Sequence, residues 1–381
     1  MDNLTHTLFA VTLGRTPLGR AGRGTTTALV LASNAPDIDI LATARGTAAY
    51  LRWHRGPTHG PLGFVALSLM TAAIVWAIQR YIDRNADPPG NTNPIDAVPS
   101  ASFGMLLVAS AVGLLCHILM DFPTSYGTRV FSPFGWHWFG ADLMPIVDIY
   151  LIAALIAGLL FGQTSEASRR RNAAIVLVLM AANYGVRAVA HHEAIVLAPR
   201  VFGPLMPKPC DPNRVDRPLI VEWPRADNAM PVASTSVGGS RCLVDLAAMP
   251  TFLSPFKWRL IAHLSNAYEM HDLDVLDARL RRPAEVGEAP WRVTVRYPDQ
   301  WNPMVQAAAH APLAQVFLGF SRYPAARWNV DQRTGVATVR WTDMRFTNGL
   351  TVDQRLGRAN LFTATVHVAP DGRVLDEQLG Q

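Results

Sequence analysis

Hydrophobic residues fall into long blocks in the first half of the chain and into short alternating runs in the second. The blocks are Leu4–Gly14, Thr25–Ala35, Pro61–Ile78, Phe103–Met120, Ile146–Phe161 and Ala173–Ala190. The last four approach the roughly 20 apolar residues that a helix needs to cross a bilayer. The first two are shorter and read as a helical hairpin packed among the others. From about Val201 Pro and Arg become frequent, and Trp291–Tyr297, Val336–Trp341 and Phe362–Val368 alternate as half-buried strands do. Pro370-Asp371-Gly372 then signals a turn before Arg373-Val374-Leu375. The pattern predicts a membrane α-helical bundle of about four to six hydrophobic helices over residues 1–200. A small β-rich (α+β) extramembrane domain follows over 201–381. The polar stretch Asp83–Ser100 reads as a loop between spans, and the Pro-rich Pro199–Pro218 as the connection between the two parts.

Composition agrees with this division. Only 17% of the 381 residues are charged, against about 25% in a soluble domain, and the shortage lies in the first half. The net charge of +5 is spread along the chain. With no basic stripe interleaved with aromatics, nucleic acid is excluded as the expected partner. Asp2 and His6 replace the basic start of a signal peptide, so the first apolar block is expected to be retained. Cys116, inside an apolar run, reads as an inert core thiol. Cys210 and Cys242 permit one disulfide, but their spacing does not show that they meet.

Chemistry is concentrated where the blocks end. His6, Asp37-Ile38-Asp39, the loop from His54 to His59, and His117 with Asp121 each sit at one end of an apolar block. If successive blocks alternate in direction, all four clusters reach the same membrane face, as do Asp142 and Asp148 at the start of the next block. Imidazoles and carboxylates are the usual ligands of zinc and related ions. Burying them together is costly unless something pairs them. His117 and Asp121, four residues apart on a helix, share a face, although a helix-end pair satisfied by backbone and water has equal standing. Asp37 and Asp39 after Pro36 could simply cap a turn. His54 and His59 flank Arg55-Gly56-Pro57-Thr58, a turn that opens the next helix, and His6 matters only in this company. Arg55 is placed to hold an oxyanion with its planar fork, the alternative being an arginine snorkelling to the interface. His191-His192-Glu193 reads as solvated or interfacial. His137, His263, His271, His310 and His367 lack partner spacing and read as structural or surface residues. Phe131–Phe139 is an interfacial aromatic belt that could also line a lipid-facing entrance.

The short loops of the opposite face carry Arg15, Arg20, Arg23, Arg80, Arg84, Arg169, Arg170 and Arg171, whereas the ligand face has Arg45, Arg52, Arg55 and Arg129. Cytoplasmic loops are the ones enriched in Lys and Arg, which puts the site and the tail outside the cytoplasm.

Thr5-His6, Pro36-Asp37-Ile38-Asp39, His54-Arg55-Gly56-Pro57-Thr58-His59 and His117 to Asp121 occur in the order of the YdjM-like family. The chain resembles that family, described as LexA-regulated inner-membrane metal-dependent hydrolases, over about residues 1–160. Thr124-Ser125-Tyr126-Gly127-Thr128 and Asp142 to Asp148 resemble a longer branch that carries a β-rich tail. One departure is Gly60, where the family usually has Ser. The resemblance implies a bacterial inner-membrane protein with a divalent-metal site.

The expected ligand pool is His6, Asp37, Asp39, His54, His59, His117 and Asp121, with Asp142 and Asp148 as possible additions. The expected cofactor is zinc, one or two ions. Arg55 and Asp39 are the expected catalytic residues, and the expected partners are membrane lipids and a lipid-like or amphiphilic substrate, most plausibly a phosphoester. A membrane metallopeptidase or amidase stays open, although no His-Glu-x-x-His is present. So does a non-enzymatic metal-binding protein or transporter, although transporter sites lie near the midplane rather than at helix ends.

Overall fold

A computed structural model of the chain describes residues 1–85, 98–161, 164–202, 206–210, 219–224, 242–280, 295–347 and 362–380. Most of the expected Asp83–Ser100 loop, part of Pro199–Pro218 and residues 291–294 of the first expected strand lie outside the described residues.

In chain order the helices are α1 (Asn3–Gly14), α2 (Thr25–Ala32), α3 (Thr47–Trp53), α4 (Pro61–Asn85), α5 (Phe103–Asp121), α6 (Ile149–Leu160) and α7 (Glu166–Leu197). Consecutive 3₁₀ turns over Ala35–Arg45 separate α2 from α3. Strands β1 (Leu243–Pro250), β2 (Lys257–Leu264), β3 (Ala267–Asp274) and β4 (Val295–Pro298) come next, then α8 (Pro303–Ala309) and α9 (Pro312–Phe320). The chain closes with β5 (Pro324–Val330), β6 (Ala337–Asp343), β7 (Thr363–Val368) and β8 (Val374–Leu379). Two compact units result. One comprises Met1–Leu41, His54–Gly140 and Met144–Val186, the other Ala42–Trp53, Ala141–Leu143 and Arg187–Gln381.

In the first unit every apolar block is a helix. Among the described residues three stretches are long and apolar enough to cross a bilayer: Pro61–Asn85, Phe103–Asp121 and Glu166–Arg200. Their outward side chains, such as Leu62, Val65, Leu69 and Ile74 on α4 and Val178 and Val189 on α7, are exposed and apolar, as lipid-facing residues must be. The block Ile146–Phe161 forms only 12 helical residues. At 1.5 Å per residue that is about 18 Å, short of a roughly 30 Å hydrocarbon core. Asp148 caps its N-terminus, accepting from Leu151 N at 2.9 Å, so the helix starts at Ile149 rather than at Ile146.

Helix α1 packs on α2 and α6, α2 on α4 and α5, and α4 on α5. Gly113 lets α2 and α5 touch: a Cβ there would lie 2.8 Å from Leu29 O. Small residues permit such backbone approach between membrane helices. Ser33 Oγ, at the end of α2, donates to Gly113 O at 3.2 Å. That contact brings the end of α2 to the face of α5 that carries His117.

In the second unit β1 to β4 form an antiparallel meander, and β5 to β8 a second one in the order β8-β7-β6-β5. Alternation along β1 to β3 gives the first sheet two apolar faces. Leu246, Ala248, Trp258, Leu260 and Leu273 pack with Ala190, Ala194 and Leu197 from the end of α7. Ala247, Met249, Ile261, Tyr268 and Met270 pack with Tyr323, Ala325 and Met344. Cys210 and Cys242 form a disulfide.

Candidate metal centre

Two motifs are set by turns and two by helix ends. Asp2 caps α1 by accepting from Thr5 N (3.0 Å) and from the Thr5 hydroxyl (2.6 Å), which fixes the turn carrying His6. The 3₁₀ segment presents Asp37 and Asp39, the His54–His59 loop leads into α4, and the last turn of α5 carries His117 and Asp121.

Four of these side chains form one group. Asp37, His59, His117 and Asp121 each offer a ligand atom, and all four atoms lie within 4.8 Å of one another. His59 Nε2 is 3.2 Å from His117 Nε2. Asp121 Oδ2 is 3.5 Å from each of these nitrogens, and Asp37 Oδ1 is 3.6 Å from His117 Nε2 and 3.8 Å from His59 Nε2. Four tetrahedral ligands at about 2.0–2.1 Å from an ion would lie about 3.3–3.4 Å apart. The donor set and its spacing therefore fit a divalent ion such as zinc.

The proton arrangement strengthens the fit. His117 Nδ1 donates to Ser33 O at 2.7 Å. The Thr58 hydroxyl donates to Asp39 Oδ2 at 3.0 Å, so towards His59 Nδ1, also 3.0 Å away, it acts as acceptor. With both Nδ1 atoms used as donors, both Nε2 atoms turn lone pairs towards each other and towards two carboxylates. A cation is the natural partner for such a set, and hydrogen-bonded Nδ1 atoms of this kind are what hold metal-binding imidazoles in place. Burial, reinforced by His117 and Arg55, pushes the His59 imidazole well below its ordinary value, towards the neutral form that ligates metals. Burial raises Asp37, with Arg55 opposing.

The other expected residues surround this group. Asp39 lies outside it and accepts from His54 Nδ1 at 2.9 Å, Arg55 N at 2.7 Å and the Thr58 hydroxyl. His54 is thereby turned onto Asp39, with Tyr126 against its ring. His6 is buried and stacks on His117 at 3.9 Å, its Nε2 3.3 Å from Asp121 Oδ1. Arg55 is buried rather than snorkelling. Its Nη2 is 3.1 Å from Asp121 Oδ1, and Nη1 donates to the Thr124 hydroxyl (3.1 Å) and Gly127 O (3.2 Å). Its backbone is left-handed at φ +51°, a conformation that costs a non-glycine residue on the order of 1–3 kcal/mol. Bonds from Arg55 N to Asp39 and from Arg129 N to Arg55 O hold it there. The amino group of Met1 also pairs with Asp121. Asp121 thus turns Oδ2 to the four-atom group and Oδ1 to Arg55 and His6.

Asp142 and Asp148 are not brought into the group. Asp148 caps α6, and Asp142 belongs to the second unit, where Arg322 Nη1 donates to it at 2.6 Å. Several participants were not singled out in the sequence, among them the Thr124 hydroxyl, Tyr126 and the Met1 amino group. Thr58 stood in plain view inside the central motif, but Ser33 and Gly127 contribute backbone carbonyls, which no side-chain pattern reveals.

The sequence profile of the YdjM inner membrane protein family matches residues 1–194, which carry all seven candidate ligands. This chain belongs to the YdjM family. A curated relative is the "Uncharacterized protein YfhP" of Bacillus subtilis (strain 168), 25% identical over 167 residues, covering 42% of this chain and 45% of that protein. The chain therefore matches less than half the length of that relative. No solved structure matches the chain. The departure from the YdjM pattern at Gly60 has a local cause: a Cβ there would fall 1.8 Å from Ser132 O, because the Arg129–Ser132 turn lies against the loop backbone.

Proposed function

We propose that this YdjM-family protein is a membrane-bound metal-dependent hydrolase acting on a phosphoester of a lipid-like substrate at the bilayer surface. The observation that carries the reading is the pair of buried imidazoles whose Nε2 lone pairs meet at 3.2 Å among two carboxylates. Asp37, His59, His117 and Asp121 would hold the ion, which would supply Lewis acidity and a water of pKa about 7. Asp39 holds His54, Thr58 and the Arg55 backbone in position and is the candidate base. Arg55 holds Asp121 and sets a fixed positive charge beside the reacting centre, where it would favour a developing oxyanion. Support for a lipid-like substrate comes from the rim. Ile38, Ile40 and Leu41 alternate with the two carboxylates and are exposed, as an amphiphile would require.

We further place the site and the second unit on the extracytoplasmic side. The arginine distribution supports this, as does the Cys210–Cys242 pairing, since disulfides persist in oxidising compartments.

The test is elemental analysis of detergent-purified protein together with hydrolysis of a panel of short- and long-chain phosphoesters. Near-stoichiometric metal is expected, lost in His117→Ala along with turnover. Folded, metal-free protein whose properties do not respond to chelators would end the hydrolase reading.

A further inference from the structure

The β1–β2 connection leaves Phe252 54% and Leu253 76% exposed, and Leu276, just beyond β3, is 61% exposed. These residues share one end of the sheet, because Lys257 pairs with Asp274 across β2 and β3 and Val275 N donates to Phe256 O at 3.0 Å. Large apolar side chains grouped at a loop tip call for a partner surface.

Helix α7 supplies the level of that surface. Its apolar run Ala173–Ala190 covers about 27 Å at 1.5 Å per residue, close to the thickness of a hydrocarbon core. His191 follows the run directly, so it marks the depth at which the helix leaves the bilayer. The Trp258 ring packs edge-on against His191 at 5.3 Å, and Trp258 Nε1 donates to Pro255 O at 3.1 Å. The exposed tip is therefore tied, through one tryptophan, to the residue at the membrane interface. Charge near the tip is balanced: Arg259 pairs with Asp272, Arg279 with Asp277, and Lys257 stands opposite Asp274. Among the described residues around the tip, these pairs leave no cationic surplus to seek anionic headgroups.

We propose that Phe252, Leu253 and Leu276 insert into the interface of the same bilayer that α7 crosses, anchoring the β-rich unit to the lipid surface by apolar contact. The inference needs only the membrane assignment of α7 and is independent of any hydrolase activity.

The test uses full-length protein in lipid nanodiscs with Cys116→Ala as background, Cys210 and Cys242 being paired. Leu253→Cys and, separately, Leu276→Cys carry an environment-sensitive fluorophore, with Arg333→Cys in the exposed β5–β6 turn as the water-facing control. Both tip positions should be quenched by lipid-borne nitroxides and should show several-fold less iodide quenching than position 333, in zwitterionic and anionic discs alike. Iodide quenching at 253 and 276 equal to that at 333 would overturn the proposal. Shielding confined to anionic discs would overturn apolar insertion. Shielding only in discs carrying two copies would overturn it in favour of a second copy of the chain.

Discussion

Asp39→Asn separates a carboxylate that binds the ion from one that holds other ligands in place. The substitution keeps size and one acceptor oxygen but removes the charge and turns an NH₂ towards groups that need an acceptor. Asp39 accepts from Arg55 N (2.7 Å), His54 Nδ1 (2.9 Å) and the Thr58 hydroxyl (3.0 Å). An asparagine oxygen in the Oδ2 position still serves Arg55 N and Thr58 but leaves its NH₂ facing His54 Nδ1, and the reverse flip sets the NH₂ against Arg55 N and Thr58, the hydroxyl that orients His59. Loss of a residue that orients a metal ligand costs about 10–100-fold in affinity or activity, or roughly 1.4–2.8 kcal/mol. Loss of a ligand itself should remove the ion. Chelator competition followed by elemental analysis should therefore rank the variants: wild type, then Asp39→Asn with affinity 10–100-fold weaker, then Asp37→Ala and His117→Ala with no retained metal. If Asp39→Asn loses metal as completely as His117→Ala, Asp39 is a direct ligand. If it loses none, the Asp39–Thr58–His59 arrangement has no bearing on the ion.

Three further outcomes follow from the same geometry. Arg55→Lys keeps a charge near Asp121 but cannot reach Asp121, Thr124 and Gly127 together; metal content should persist while phosphoester turnover falls by about 10²-fold, and full activity would remove Arg55 from the chemistry. Gly60→Ser should lower the melting temperature in detergent, because its Cβ meets Ser132 O and overpacking costs typically about 1–3 kcal/mol; an unchanged melting temperature would mean that the Arg129–Ser132 turn yields freely. In a Cys116→Ala background, Arg333→Cys should react with a membrane-impermeant thiol reagent in intact spheroplasts and Arg170→Cys, at the other end of α7, should not; the reverse pattern would put the site in the cytoplasm.

Period and block length made the long apolar helices legible, together with strands β4, β6, β7 and β8, whereas β1, β2, β3 and β5 and the short helices α3, α8 and α9 were not read from the sequence. Ligand identity was legible as a pool rather than as a shell. Asp37 and Asp39 look equivalent in sequence, being two residues apart after Pro36. In 3₁₀ turns each residue advances about 120°, so side chains two apart diverge by about 120°. Asp37 turns to the two imidazoles and Asp39 to His54 and Thr58. The choice depends on a turn type that the apolar pattern of Thr25–Ala35 did not indicate. The same limit applied to Arg55. Its place between two histidines marked it for chemistry, but its inward direction comes from a left-handed backbone held by Asp39 and Arg129. The late start of α6 was equally hidden, since Asp148 is the one charged residue in the otherwise apolar block Ile146–Phe161 and its capping of Leu151 N moves the helix start to Ile149.

Charge bears on how many ions the surroundings can hold. Asp37, Asp39 and Asp121 bring three negative charges, Arg55 brings one positive, and imidazoles that ligate must be neutral. The side chains sum to −2, or −1 with the charged Met1 amino group that also pairs with Asp121 Oδ1, so one divalent ion leaves the cluster within one charge of neutrality. A second ion would leave at least +2 among groups almost wholly removed from water, and uncompensated buried charge is strongly unfavourable. Geometry points the same way. A second ion bridged by Asp121 would have to approach Oδ1, which faces the Arg55 guanidinium at 3.1 Å as well as His6. Arg55 therefore occupies the position that a second cation takes in a two-ion site. The expected stoichiometry is one ion per chain, read by elemental analysis against quantitative amino-acid analysis. Arg55→Ala should open the Oδ1 side and allow a second, weaker ion to bind. Two ions in the wild type would mean that Arg55 swings off Asp121 in the loaded protein, and the charge argument would fail with it.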